Sequence, residues 1–295
     1  MRVGAFELKE PLPELKRPQA LVMLSPWIDA GRVGSSVLTH LEEHFHAQEL
    51  GKLEKPGVFY DFTRYRPMVF RSEGKRQVRI PNTLITYAQR QNGPDFLFLH
   101  CLEPHMFGET YVESVLKFLE KLRVERYILL GGMFDSTPHT RPLLASGTAS
   151  DEAMAMTLRR LGVVSSNYQG PTTINTLIAD EAPKQGTETT TMIARLPYYT
   201  QLEDDYAGQE LILRLLANVY DLRLALADLK KKGEEQYREV GLAVRSNPRL
   251  AEVLHVLESS YDAQAMKATE SAESPLSPQV EKFLRELDKG FSAGS

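Results

Sequence analysis

The run Asp95-Phe96-Leu97-Phe98-Leu99-His100-Cys101 leads through Leu102-Glu103-Pro104-His105 into a segment whose apolar residues are Val112, Val115, Leu116, Leu119 and Leu122. A second apolar run, Arg126 to Met133, then closes on Gly131-Gly132. A continuous apolar run of strand length suits a strand buried on both faces, and apolar residues three and four apart mark one face of a helix. Strand, amphipathic helix and strand in that order predict a parallel crossover. The pattern also stands upstream. Ala20 to Leu24 stops at Ser25-Pro26, and Val33, Val37, Leu38, Leu41 and Phe45 follow at helical spacing with Glu42, Glu43 and His44 facing outward.

Downstream, a Pro/Thr/Ser-rich loop precedes a helix that starts near Ser150, with Asp151 and Glu152 in its first turn where carboxylates complement the helix dipole. Val163 to Ser165 reads as a short strand, Pro171 opens a helix to about Asp180, and Thr187 to Leu196 reads as a further strand. Strands alternating with helices predict an α/β fold: a three-layer sandwich around a mostly parallel mixed sheet. Two stretches depart from the alternation. Residues 1–18, punctuated by Pro11, Pro13 and Pro18, read as a lead-in arm, while Val58 to Arg66 and Met68 to Ile80 alternate like antiparallel strands, the latter turning at Ser72-Glu73-Gly74-Lys75.

At about residue 204 the pattern becomes helical. Leu211, Leu215, Leu216, Val219, Leu222, Leu226 and Leu229 mark one long helix, and a second runs from Glu234 to Val244. Asn247-Pro248 caps a third with Leu250, Val253, Leu254 and Leu257 on its apolar face. The organisation expected is an α/β domain over 1–203, a helical extension over 204–262, an Ala/Ser/Glu-rich linker over 263–277, and a terminal amphipathic helix and tail over 278–295. Charge follows the same division. Residues 1–203 carry 23 acidic and 23 basic side chains, residues 204–262 carry 11 and 8, and the remainder 5 and 4, so the net −4 of the 295-residue chain lies in its helical part. That balance argues against nucleic acid as the main partner, because phosphate contacts need a dense basic surface. One cysteine, Cys101, excludes an intramolecular disulfide framework and reads as a small core residue. The apolar runs are shorter than the about 20 residues of a membrane-spanning helix, and the N-terminus has no signal pattern, which predicts a soluble cytoplasmic protein.

Polar residues with chemical capacity gather after the predicted strands. Asp29 and Arg32 follow the first; His100, Glu103 and His105 follow the second; Asp135, His139 and Arg141 follow Arg126 to Met133. Tyr168 and Gln169 follow Val163 to Ser165, and Tyr198 and Tyr199 follow the last strand. In open parallel sheets the crevice beyond the strand C-termini is the usual ligand position, so Asp29, Arg32, Glu103, His105, His139, Arg141, Tyr168 and Tyr198 form a candidate pocket or interface rim. The competing reading is that strand ends are loops and loops are polar.

No established reaction motif organises these residues. Glu103, His105, Asp135 and His139 lack a metal-ligand spacing such as HExxH, and no G-x-S-x-G elbow accompanies Ser136. The glycines of Asp29-Ala30-Gly31-Arg32-Val33-Gly34-Ser35-Ser36 fit close helix–sheet packing better than a phosphate loop. No catalytic residue, metal or cofactor is assigned. In Pro138-His139-Thr140-Arg141-Pro142, two prolines fix the backbone around two polar side chains. There Arg141 either faces an anion or braces the rim by bridging to Glu103 or Asp29.

Six stretches taken in order resemble the proteasome-assembly-chaperone family, in particular its prokaryotic branch related to chaperone two. They are Trp27-Ile28-Asp29-Ala30-Gly31, Tyr60-Asp61-Phe62 with Arg66-Pro67, Leu102-Glu103-Pro104, Pro138-His139-Thr140-Arg141-Pro142, Tyr168-Gln169-Gly170-Pro171 and Leu196-Pro197-Tyr198-Tyr199. The resemblance covers about residues 19–262. It implies an α/β sandwich similar to nucleoside-phosphorylase and peptidyl-tRNA-hydrolase-like folds, assembly into homo-oligomers of trimer size or larger, and ATP-independent scaffolding of a protein partner. Relatives that dock on the proteasome end in a hydrophobic-Tyr-any-residue motif, which Phe291-Ser292-Ala293-Gly294-Ser295 does not match. Docking through the tail is therefore not implied, and Phe283 and Leu287 remain the candidate partner-binding residues by a helix-in-groove contact. The alternative to a protein-binding scaffold is a small-molecule hydrolase- or phosphorylase-like enzyme working at the rim.

Overall fold

Both apolar runs of the crossover are central strands. In the computed structural model, which describes residues 1–72, 74–166 and 169–272, they are β8 (Phe96–Leu102) and β9 (Arg126–Asp135), with β3 (Gln19–Ser25) between them. β3 pairs in parallel with both, from Gln19 opposite Phe96 to Ser25 opposite Leu102 on one side and from Gln19 opposite Arg126 on the other. β12 (Glu188–Pro197) runs parallel to β9 along its whole length. Every second residue of these strands faces a different core. Ala20, Val22, Leu24, Leu97, Leu99, Tyr127 and Leu129 share one side; Leu21, Met23, Phe96, Phe98, Ile128 and Leu130 share the other. That two-sided burial is why the runs are apolar throughout rather than alternating.

Helices cover each face. α2 (Gly108–Lys121) and α4 (Ile174–Glu181) close the first core through Tyr111, Val115, Phe118, Leu119 and Ile178. α1 (Val33–Phe45), α3 (Glu152–Arg160) and α5 (Tyr206–Tyr220) close the second. Each fully buried leucine or phenylalanine here contributes about 1.5–3 kcal/mol relative to exposure. Polar hydrogen bonding is built in where side chains start helices: Asp151 accepts from Met154 N (2.9 Å) ahead of α3, and Asp205 accepts from Gly208 N (2.8 Å) ahead of α5. The three-layer α/β fold expected from the alternation is present.

The outer parts of the sheet differ from expectation. Among the described residues ten strands form it, and the remaining members are β1 (Arg2–Val3), β2 (Phe6–Leu8), β4 (Gln48–Leu53), β7 (Leu84–Ala88), β10 (Ala145–Ala149) and β11 (Val164–Ser165). The order is β1-β2-β4-β7-β8-β3-β9-β12-β10-β11. Four ladders are parallel and five antiparallel, so "mostly parallel" describes only the centre. The N-terminal segment is not a free arm: Phe6 and Leu8 are buried, and β2 pairs with β4. Of the two predicted antiparallel segments, only the second holds. β5 (Met68–Ser72) and β6 (Lys75–Arg79) form a separate, largely exposed hairpin. Residues 58–66 make turns instead, anchored by a buried hydroxyl chain from Tyr60 Oη to Thr83 Oγ1 (2.5 Å) and on to Tyr111 Oη (2.8 Å).

The C-terminal helices start with α5 at Tyr206, and this helix is shorter than its leucine spacing predicts. α5 stops at Tyr220 because Asp221 takes a left-handed conformation (φ 50°) and the Leu222 amide turns back to Ala217 O (3.0 Å). Leu222, Leu226 and Leu229 keep the helical spacing beyond that break because they still bury against the same core. α6 (Ala227–Arg245) lies across α5 at Gly233, where a Cβ would stand 2.9 Å from Ala207 N. α7 (Pro248–Ala272) follows and takes in residues 263–272, which composition reads as linker. Phe283, Leu287 and the predicted terminal helix lie outside the described residues, as does Tyr168.

Candidate functional site

The strands β8, β3, β9 and β12 end side by side, with Ser25 opposite Leu102 and Asp135 opposite Pro197. The 26–32 loop folds down onto β9. Ile28 O accepts the Gly132 amide (3.0 Å), and Asp29 bridges to Gly132. A Cβ on Gly131 would lie 1.9 Å from Ile28 O, so glycine is what lets the loop backbone rest on the strand.

The rim side chains predicted from sequence are each held by a different element. Asp29 Oδ1 accepts from Ser35 N (2.9 Å) and closes the first turn of α1; burial raises its carboxyl above the usual aspartate value, against the hydrogen bonds from Ser35. Arg32, at φ 47°, reaches Glu203 (3.8 Å) and Asp204 (3.7 Å) at the surface. Glu103 Oε1 accepts from Ile174 N (2.9 Å), the first residue of α4, while its Oε2 is buried with no hydrogen-bond partner. Burial likewise raises this carboxyl above the ordinary glutamate value. His105 Nδ1 accepts from Asp61 N (3.2 Å), its amide donates to Phe59 O (2.8 Å), and its ring lies 4.5 Å from that of Tyr65. It braces the 56–66 turns. His100 pairs with Glu42 (2.9 Å), and Asp135 with Arg195.

His139 and Arg141 face the helical extension. Tyr199 Oη accepts the His139 amide (2.9 Å) and lies 2.6 Å from Nδ1. Burial lowers the imidazole below the usual histidine value, although Glu258 acts oppositely, and burial raises the Tyr199 phenol, so both side chains are neutral near pH 7. Arg141 bridges neither to Glu103 nor to Asp29. It makes a two-pronged pair with Asp262 of α7 (Nε to Oδ1 2.9 Å, Nη2 to Oδ2 2.8 Å) and reaches Glu258 at 3.4 Å. Thr140 bonds Glu258, and Tyr261 Oη donates to Pro142 O (2.9 Å), so α7 is latched to the 138–142 loop at three points.

Among the described residues no side-chain hydrogen bond or ion pair joins any two of Asp29, Arg32, Glu103, His105, His139 and Arg141. Acid/base chemistry on one substrate needs such groups within hydrogen-bond reach of a common point. Here each is committed to a turn, a helix start or a brace. No group of three or more His, Cys, Asp or Glu side chains among the described residues suits a metal ion. Cys101 is buried, and desolvation pushes its thiol up to about 12, which keeps it from acting as a thiolate.

What the rim does present is apolar surface. Trp27 after β3 is 69% exposed and Phe107 after β8 is 61% exposed. Met106, Met133 and Phe134 at the same edge are exposed as well, and so is Tyr198, whose ring meets that of Tyr199 at 5.7 Å. These residues lie at the C-terminal ends of four adjacent strands, Met133 and Phe134 within the last residues of β9 and the others just beyond β3, β8 and β12. Sequence reading placed Tyr198 in the rim and Trp27 in a family stretch; Phe107 and Phe134 each follow a single methionine and precede Gly108 and Asp135, a context that gives no sign that they are left uncovered. Also unforeseen is the pair in which the half-buried Tyr237 of α6 donates through Oη to Oδ2 of the buried Asp205 (2.9 Å). An acidic residue just ahead of the leucine pattern of α5 was its one sequence signal.

A family model described as the PAC2 family matches residues 23–243. No curated protein matches the chain. Among solved structures, a PAC2 family protein from Streptomyces avermitilis is 26% identical with a TM-score of 0.71, covering 80% of this chain and 99% of its own. A proteasome-assembly chaperone homologue from Mycobacterium tuberculosis is also 26% identical, with a TM-score of 0.70 and coverage of 80% and 100%. A Corynebacterium glutamicum protein of unknown function, 21% identical, shares the fold at a TM-score of 0.77 over 89% of this chain and 98% of that one. With the family match spanning both the strand-end rim and most of the helical extension, the chain belongs to the PAC2 family.

Proposed function

We propose that the protein is a cytoplasmic, ATP-independent scaffold of the assembly-chaperone kind, working as a homo-oligomer of three or more copies and gripping protein partners at the strand-end rim. The observation that carries this reading is the row of exposed Trp27, Phe107, Phe134 and Tyr198 along four adjacent strand ends. Large apolar and aromatic side chains left in water at one edge are a common mark of protein interfaces. The name of the 26%-identical relative from Mycobacterium tuberculosis, a proteasome-assembly chaperone homologue, points the same way. The hydrogen-bonding commitments of Glu103 and His105 leave the rim better suited to contact than to catalysis. No helix among the described residues is long and apolar enough to cross a membrane.

Light scattering coupled to size exclusion tests the proposal. The wild-type chain should elute at three or more times the 33.3 kDa of one copy. Trp27→Asp with Phe134→Asp should lower that mass, or abolish crosslinking to a partner from a photoreactive residue placed at Phe107. A monomeric wild type whose crosslinking is indifferent to the double substitution refutes it.

A further inference from the structure

A cavity of about 570 Å³ opens between the 139–143 loop, α5 and α6. Its size is that of a small-molecule site. Leu143, Leu211 and Leu242 supply apolar wall, and five basic side chains line it against two acidic ones. Three of the cations are already paired: Arg214 with Glu210 (3.0 Å), Lys230 with Glu234 (3.9 Å) and Arg141 with Asp262 (2.8 Å). Arg238 and Arg245, two turns apart on one face of α6, have no ion-pair partner among the described residues.

His139 adds an independent sign. It is 7% exposed, and its Nε2 is buried without a hydrogen-bond partner. Tyr199 Oη accepts the His139 amide, and donating its own proton to Nδ1 is the arrangement that leaves that proton bonded; the neutral ring then carries its hydrogen on Nε2. That leaves an N–H donor with no acceptor at the cavity wall. The α6 residue facing it is Gly241, whose absent Cβ would stand 3.3 Å from Nε2, so the helix meets this buried nitrogen with a glycine and not with a side chain.

We propose that the cavity binds a small organic oxyanion with an apolar body, its carboxylate or phosphate group accepting from His139 Nε2 and paired with Arg238 and Arg245. The site is separate from the exposed rim and does not depend on the scaffold reading. An apolar body fits the leucine wall, and the oxyanion meets both the unused donor and the two unpaired guanidinium groups.

Decanoate, decyl phosphate and decanol titrated into the full chain test this, with calorimetry for affinity and the nitrogen-15 signal of His139 Nε2 for location. One or both anions should bind at or below millimolar concentration and shift the Nε2 signal, and decanol should bind at least about tenfold more weakly. Preference for one anion assigns the head group. Arg238→Ala with Arg245→Ala, at exposed positions that leave the melting temperature unchanged, should weaken anion binding by about tenfold or more. Equal binding of decanol, binding indifferent to the double substitution, an unmoved Nε2 signal, or no binding of either anion at millimolar concentration overturns the proposal.

Discussion

Replacing Gly131 by alanine tests how the rim is built. The added Cβ would sit 1.9 Å from Ile28 O and 2.8 Å from Ile28 Cγ2, whereas carbon and carbonyl oxygen ordinarily approach to about 3.3 Å. The loop must therefore withdraw by more than an ångström. That breaks the Gly132 N–H to Ile28 O bond, worth about 1 kcal/mol, and adds about 1–3 kcal/mol of overpacking strain. A loss of about 2–4 kcal/mol is expected, which for a domain of this size lowers the melting temperature by about 4–10 °C. Gly186→Ala is the control. Its φ of +85° penalises a Cβ by about 1 kcal/mol, but nothing lies within 4 Å, so its melting temperature should fall much less. Circular-dichroism melts and urea titrations of both variants provide the comparison. If Gly131→Ala melts within a degree of wild type, or no lower than Gly186→Ala, the close approach of loop and strand is not what requires glycine there.

Two further outcomes follow from the partners of Arg141 and Glu103. Arg141→Ala should accelerate amide hydrogen exchange across residues 248–262 by removing two-pronged pairing to α7, with little change in the global melting temperature; unchanged exchange there would show that the latch does not hold the helix. Glu103 has a folded-state carboxyl raised by burial, so the folded chain binds this proton more tightly than the unfolded one. Its contribution is fully present below the ordinary glutamate value of 4.5 and is lost as pH rises through the raised folded value. Glu103→Gln keeps an acceptor for Ile174 N, and its stability relative to wild type should increase from pH 4 to pH 7 in urea titrations. A difference that does not vary with pH would contradict the assignment.

The central sheet was legible because burial on both faces leaves its mark as unbroken apolar runs: Ala20 to Leu24, Phe96 to Leu99 and Tyr127 to Leu130 lie in strands. β4 and β10 were not legible. Gln48-Glu49-Leu50-Gly51-Lys52-Leu53 carries its polar residues outward, and Ala145-Ser146-Gly147-Thr148-Ala149 is built of small residues, with Gly147 pressed against Thr191 O. The end of α5 was hidden because Leu222 and Leu226 bury after the helix has stopped, keeping its spacing without its backbone. At the rim, the location of the polar residues after the strands was readable. Their partners were not. Asp29 and Glu103 satisfy helix starts at Ser35 and Ile174, and Arg141 finds Asp262 121 residues away, which only the folded chain brings together.

The sheet ends in two-residue strands at both sides, β1 and β11. Strands that short expose almost no row of unpaired N–H and C=O groups on which another chain could template itself. The β5–β6 hairpin has longer open borders, and there Arg71, Lys75, Arg76 and Arg79 place like charges wherever two copies would align. Runaway growth by strand addition, the common hazard of a wide sheet, is thereby discouraged at β1, at β11 and along the hairpin. A chain approaching β1 or β11 finds almost no backbone to pair with, so contact at those edges rests on side-chain shape and chemistry.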